Sequence, residues 1–210
     1  MKKSLLKLDF LGLRDVLEPL LPKAKEVGLP PGTLVHVGRQ KMEQPEIGLL
    51  EYDSDHFEAR ENLTVDEVCQ SRDTAPVSWI NLTGLHDTAL LGELGAAFNI
   101  HPLALEDILN TQHRPKLEEF DDFILIILKM LHYNDDSRSV DTEQISLVIG
   151  PHYVLSFQER EGDVFENLRE RLQRSSGRIR QRGPDYLAYA MIDSIVDSYF
   201  HILEKVGDSL

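Results

Sequence analysis

Apolar positions change their period several times along the chain, and each change marks a predicted element. Ile47 to Tyr52, Phe57 to Asn62, Val77 to Leu82 and Tyr153 to Gln158 are short runs bounded by turn residues, the pattern of β-strands. Thr33 to Val37, Lys116 to Phe120 and Glu143 to Ile149 read the same way. Phe123 to Leu128 is an unbroken apolar run, FILIIL, predicting a strand buried on both faces that continues to His132. Thr64 and Glu67 form a capping box that starts a short helix to about Gln70. A helix of small and apolar residues is expected over Thr88 to Phe98. Pro102, a first-turn proline, opens another that runs to about Asn110. Arg114-Pro115 then ends helical structure, because a residue before proline avoids the α region. Turns are expected at Pro30-Pro31-Gly32, Asp135-Asp136-Ser137 and Gly150-Pro151-His152.

The last third changes character. Val164 to about Ser175 predicts a helix, and Pro184 opens a second that reaches Leu210, about 40 Å long at the standard rise. Leu187, Met191, Ile195, Tyr199, Ile202, Val206 and Leu210 form one apolar stripe on it. Asp193, Asp197, His201, Glu204 and Asp208 share another face. The pattern stops without a glycine or proline cap, as expected of an engineered truncation. Strands interspersed with helices and then arranged as a meander predict the α/β class: a mixed parallel and antiparallel sheet flanked by helices, an α/β/α sandwich with a long C-terminal helix. Three segments are expected: a loosely attached leader over 1–27, the α/β/α domain over 28–160, and a helical extension over 161–210.

Composition narrows the chemistry. Thirty-six acids against 22 Lys and Arg give a formal charge of −14, which argues against nucleic acid and favours cations or basic partners. Cys69 is the sole cysteine, so neither a disulfide framework nor a cysteine zinc cluster is available. The longest apolar run falls far short of the ~20 residues of a transmembrane helix, and Lys7, Asp9 and Arg14 interrupt any signal-peptide core. The 210 residues are thus expected to be soluble. No phosphate-binding loop, nucleophile elbow or H-E-x-x-H motif occurs. Carboxylates remain as the candidate chemistry. Glu106 and Asp107 sit near a helix C-terminus, where the macrodipole disfavours negative charge, so a cation or a partner surface would account for them. Asp193 and Asp197 lie one turn apart on the last helix. Magnesium takes oxygen ligands and often touches one or two carboxylates, so both pairs are candidate half-sites, although paired surface acids are also common without any metal. A hydrolase using Glu106, Asp107 and Asp193 around two cations lacks a neighbouring His or Lys suited to general-base work. Six arginines between Arg169 and Arg182 fit anionic lipid headgroups, the acidic face of a neighbouring subunit, or simply a solvated helix and loop.

The order of motifs resembles a known family. LEDILNTQHRPK at Leu105 to Lys116, GLPPGTLV at Gly28 to Val35, WINLTG at Trp79 to Gly84 and EQISLVIGPHYVLSFQE at Glu143 to Glu159 are similar to the CorA family of divalent-cation transporters. GDVFENLRERL at Gly162 to Leu172 and DYLAYAMIDSIVDSYFHILEKV at Asp185 to Val206 extend the resemblance. The family's membrane-spanning end, with its Gly-Met-Asn signature, is not within these residues. The resemblance implies a domain on the cytoplasmic side of the inner membrane and a homopentameric assembly. Regulatory Mg²⁺, or Co²⁺, would bind between neighbouring subunits and close the channel. Aligned with the family's acidic positions, the ligands are Glu106, Asp107 and Asp193, and a further family ligand lies on the stalk helix beyond Leu210. A related zinc transporter is the alternative that the resemblance leaves open.

Overall fold

The computed structural model describes residues 28–71, 76–136 and 138–208. Its strands are β1 (Glu46–Tyr52), β2 (Phe57–Arg60), β3 (Val77–Thr83), β4 (Lys116–Glu119), β5 (Ile124–Asn134), β6 (Ser139–Ile149) and β7 (Tyr153–Gln158). They form one sheet in the order β2-β1-β3-β7-β6-β5-β4. Every neighbouring pair is antiparallel except β3 and β7, which run parallel with Thr83 beside Gln158. The helices are α1 (Val65–Ser71), α2 (Thr88–Ala97), α3 (Pro102–Leu109), α4 (Glu166–Gln173) and α5 (Pro184–Asp208), with a 3-10 turn at Ile179–Gln181.

Period-two alternation sorts the strand residues into two cores. Ile47, Leu49, Ile80, Leu82, Leu125, Ile127, Leu155 and Phe157 point to one face, where α1, α2 and α3 cover them with Val68, Leu91, Leu94, Ile108 and Leu109. Leu50, Tyr52, Trp79, Met130, Ile145, Leu147 and Val154 point to the other, under Leu168 and Leu172 of α4 and Leu187, Met191 and Ile195 of α5. The result is the expected mixed-sheet α/β/α sandwich with its long C-terminal helix. The capping box holds: Glu67 Oε2 accepts from the Thr64 amide at 2.8 Å and from its hydroxyl at 2.7 Å. Trp79 is fully buried and donates its indole N–H to Ser156 at 2.8 Å.

Three expectations need correction. Thr33 to Val37 is not a strand; β2 and β4 occupy the sheet edges, and this segment makes a single parallel bridge between Val37 and Asn110 at the end of α3. Strand β6 begins at Ser139 rather than Glu143, because its first four residues, though exposed, still pair with β5. The FILIIL run is not buried on both faces. Leu125 and Ile127 are fully buried, but Ile126 and Leu128 are half-buried and Ile124 is exposed, since β5 has only the four-residue edge strand β4 beyond it. The leader over 1–27 lies outside the described residues.

Helix α5 helps to build the second core, so truncating its buried stripe should cost as much as truncating the sheet. Met191→Ala is expected to lower stability by about 2–5 kcal/mol, and Phe200→Ala, on the exposed face, by less than about 0.5 kcal/mol. Urea unfolding followed by Trp79 fluorescence measures both.

Candidate functional site

Helix α3 is set by its ends. Nδ1 of His101 accepts from the Leu103 amide at 3.2 Å, Pro102 supplies the first helical residue, and Ala104, Leu105, Ile108 and Leu109 form the buried face. Glu106 and Asp107 therefore fall at the rim, half-buried. Both acids have internal partners. Glu106 Oε2 accepts from the Gly32 amide at 2.6 Å. Asp107 Oδ2 accepts from Lys116 Nζ at 2.6 Å, and its Oδ1 lies 3.3 Å from His113 Nε2, so a Lys and a His do stand beside this acid, contrary to expectation, brought there by the turn after α3. Burial alone would lower the Lys116 pKa, but hydrogen bonds to Asp107 and Glu118 outweigh it and raise the pKa. These contacts offset the unfavourable dipole position.

The helix's terminal carbonyls are satisfied from the sheet. Gln144 Nε2 donates to the Ile108 and Asp107 carbonyls at 3.1 and 3.4 Å, and Lys129 Nζ donates to the Thr111 carbonyl at 2.8 Å and to Gln144 Oε1 at 3.2 Å. Beside them Glu143 is fully buried. It accepts from the amides of Glu159 and Arg160 at 2.9 and 3.1 Å, and lies 2.9 Å from His132 Nε2 and 3.3 Å from Arg160 Nε. Sequence reasoning missed this network; its trace is the polar pair Glu143-Gln144 opening the predicted strand EQISLVI.

Asp193 and Asp197 are exposed on α5, as are His201 and Glu204. They belong to the opposite helix layer from Glu106 and Asp107, with the sheet between. Among the described residues no three His, Cys, Asp or Glu side chains come together to hold a metal ion. Of the six arginines, Arg169 clamps both oxygens of Asp163 and lies over the Trp79 ring, and Arg174 pairs with Glu170 at 3.1 Å. Arg180 donates to the Leu172 and Gln173 carbonyls at the end of α4. Arg171, Arg178 and Arg182 are exposed.

A family model described as CorA-like Mg²⁺ transporter protein matches residues 75–210, from just before β3 through both pairs of acids. The chain belongs to this family. The cobalt/magnesium transport protein CorA of Thermotoga maritima is 44% identical over 183 residues, covering 87% of this chain and 52% of that protein. The chain thus spans about half the length of this CorA. The complete structure of the CorA magnesium transporter from Methanocaldococcus jannaschii matches with a TM-score of 0.58 at 21% identity, over 77% of this chain and 48% of that one. The ZntB cytoplasmic domain from Vibrio parahaemolyticus matches with a TM-score of 0.57 at 16% identity, over 76% of this chain and 62% of that one. At these identities the two solved structures share the fold. No helix among the described residues is long and apolar enough to cross a membrane.

The two kinds of acid should behave differently on substitution. Glu143→Ala removes the buried acceptor of the Glu159 and Arg160 amides and the partner of the half-buried His132 and Arg160, and is expected to cost about 1–3 kcal/mol. Asp107→Asn, at a rim pair whose carboxylate is 24% exposed, should cost about 1 kcal/mol or less in denaturant unfolding.

Proposed function

We propose that this chain is the cytoplasmic, divalent-cation-sensing domain of a CorA-type Mg²⁺ and Co²⁺ transporter, and that it gates by cation binding between subunits. The observation that carries this reading is the separation of the acids onto opposite layers. Glu106 and Asp107 on α3 cannot meet Asp193 and Asp197 on α5 within one chain, so a site that combines them needs a second copy. A closed ring of subunits, a homopentamer on the family resemblance, supplies that copy. Apposed carboxylates about 5 Å apart repel by roughly 3 kcal/mol at an effective dielectric near 20, and a bound divalent cation turns the repulsion into a bridge. Occupancy then favours the closed arrangement to the extent that the cation binds it more tightly than the open one. No bond is made or broken, and the reading requires no enzyme activity.

On this reading Lys116 competes with the cation for Asp107. Its ammonium, 2.6 Å from Asp107 Oδ2, is a built-in competitor that sets how much Mg²⁺ is needed. The zinc alternative has one observation in its favour: His113, whose Nε2 lies beside Asp107, is the nitrogen donor that zinc prefers. The carboxylates otherwise suit a hard, hydrated cation. Any contact with anionic lipid would fall to Arg171, Arg178 and Arg182, the arginines of the 169–182 stretch not engaged in the internal contacts above.

In the full-length protein, Asp107→Asn and Asp193→Asn should each raise the Mg²⁺ concentration that protects the domain from proteolysis. Lys116→Met should lower it by about tenfold, by removing a positive charge in contact with the site. Parent-like protection curves for all three variants would sink the sensor assignment. Half-protection by Zn²⁺ well below Mg²⁺, lost in His113→Asn, would favour the zinc alternative.

A further inference from the structure

Strands β3 and β7 lie side by side and parallel, yet their chains leave in opposite directions, β3 to α2 on one face and β7 to α4 on the other. Such a divergence opens a crevice at the carboxyl ends of the strands, the usual place for a ligand in an open α/β sheet. A cleft of about 310 Å³ lies here on the α4 side, with Thr83 and Gln158 at the strand ends and Asp163 and Arg169 from the α4 segment. A second cleft, of about 280 Å³, continues from it along β1 and shares Asn81, Thr83, Glu166 and Arg169. Its floor includes Gly48, where an added Cβ would meet only the Arg60 carbonyl, at 3.8 Å. A side chain would fit there, and the glycine leaves the groove open.

The charged donors that line the groove are paired with carboxylates, Arg60 with Glu51 and Glu58 and Arg169 with Asp163. Gln158 is 1% exposed, and its side-chain oxygen has no hydrogen-bond partner, a costly state for a buried acceptor. The Thr83 hydroxyl and the Asn81 oxygen accept bonds from Asn81 and Ser156. Glu46 and Glu61 at one end, and Glu161 at the other, are exposed acids with no ion-pair partner among the described residues. Acceptors on the floor and carboxylates at both ends call for a cation that carries its own N–H donors. The described residues offer no three-ligand set for a bare metal ion. Acids spread along two joined clefts suit a linear ligand better than a spherical one.

We propose that this groove binds a linear polyamine, with an ammonium donating to Gln158 and others reaching the acids at its ends. Trp79, the chain's sole tryptophan, bonds to Ser156, which bonds to Asn81 of the groove, so its emission reports occupancy. Titration of the 210-residue chain with spermidine at constant ionic strength should give a saturable, sub-millimolar change in Trp79 fluorescence. Gly48→Val fills the floor without touching a charge and should weaken binding by about tenfold or more. The double variant Glu46→Gln with Glu161→Gln, altering two exposed residues, should weaken it comparably and provides the test if Gly48→Val fails to fold. The proposal is overturned by the absence of a saturable change, by Mg²⁺ producing the same curve at matched ionic strength, or by parent-like affinity in a folded Gly48→Val. None of these outcomes touches the intersubunit cation site, whose acids lie outside the groove.

Discussion

The parallel pairing of β3 with β7 is the constraint on which the rest of this fold hangs. Antiparallel neighbours can be joined by a tight turn, but a parallel pair requires a crossover that leaves the sheet and returns. Here the crossover contains α2, α3 and the β4–β6 meander, so one helix layer and one edge of the sheet are spent in bringing β7 back beside β3. The chain that leaves β7 then finds the first face covered and builds the second layer from α4 and α5. Two consequences follow from this one pairing. Acids on α3 and acids on α5 are held apart by the full thickness of the sheet, and a crevice opens where the two strands part.

Most of the fold was legible because burial has a simple period. The strands alternate, the capping box and Pro102 set helix starts, and the stripe from Leu187 to Val206 turns the same side of α5 to the sheet. What was not legible depends on partners distant in sequence. Thr33 to Val37 has strand composition, but the sheet had no free edge beside it, and it stitches to the end of α3 instead. The dipole argument points the acids of α3 to a cation or a partner surface; Gly32 and Lys116 supply donors that no local pattern reveals. The family resemblance pointed to these acids but said nothing of their internal partners. On the proposed function they matter, because a cation would have to compete with them.

The polar groups inside the sheet are the least expected part of the structure and decide how it can move. Gln144 and Lys129 tie the end of α3 to β5 and β6, and the Tyr199 hydroxyl of α5 donates to the Lys129 carbonyl from the opposite layer. A contiguous set of hydrogen bonds therefore joins the two layers that carry the candidate cation ligands. Leaving the buried Gln144 amide unpaired costs about 1–3 kcal/mol, and the half-buried Lys129 and Tyr199 less. Relief of repulsion between apposed carboxylates is worth only roughly 3 kcal/mol. Deforming α3 against the sheet would break several such bonds at once, which makes movement of whole domains against one another the less costly response. On the proposed function, then, the domain answers cation binding as one block, and the element with two states is the contact between neighbouring subunits.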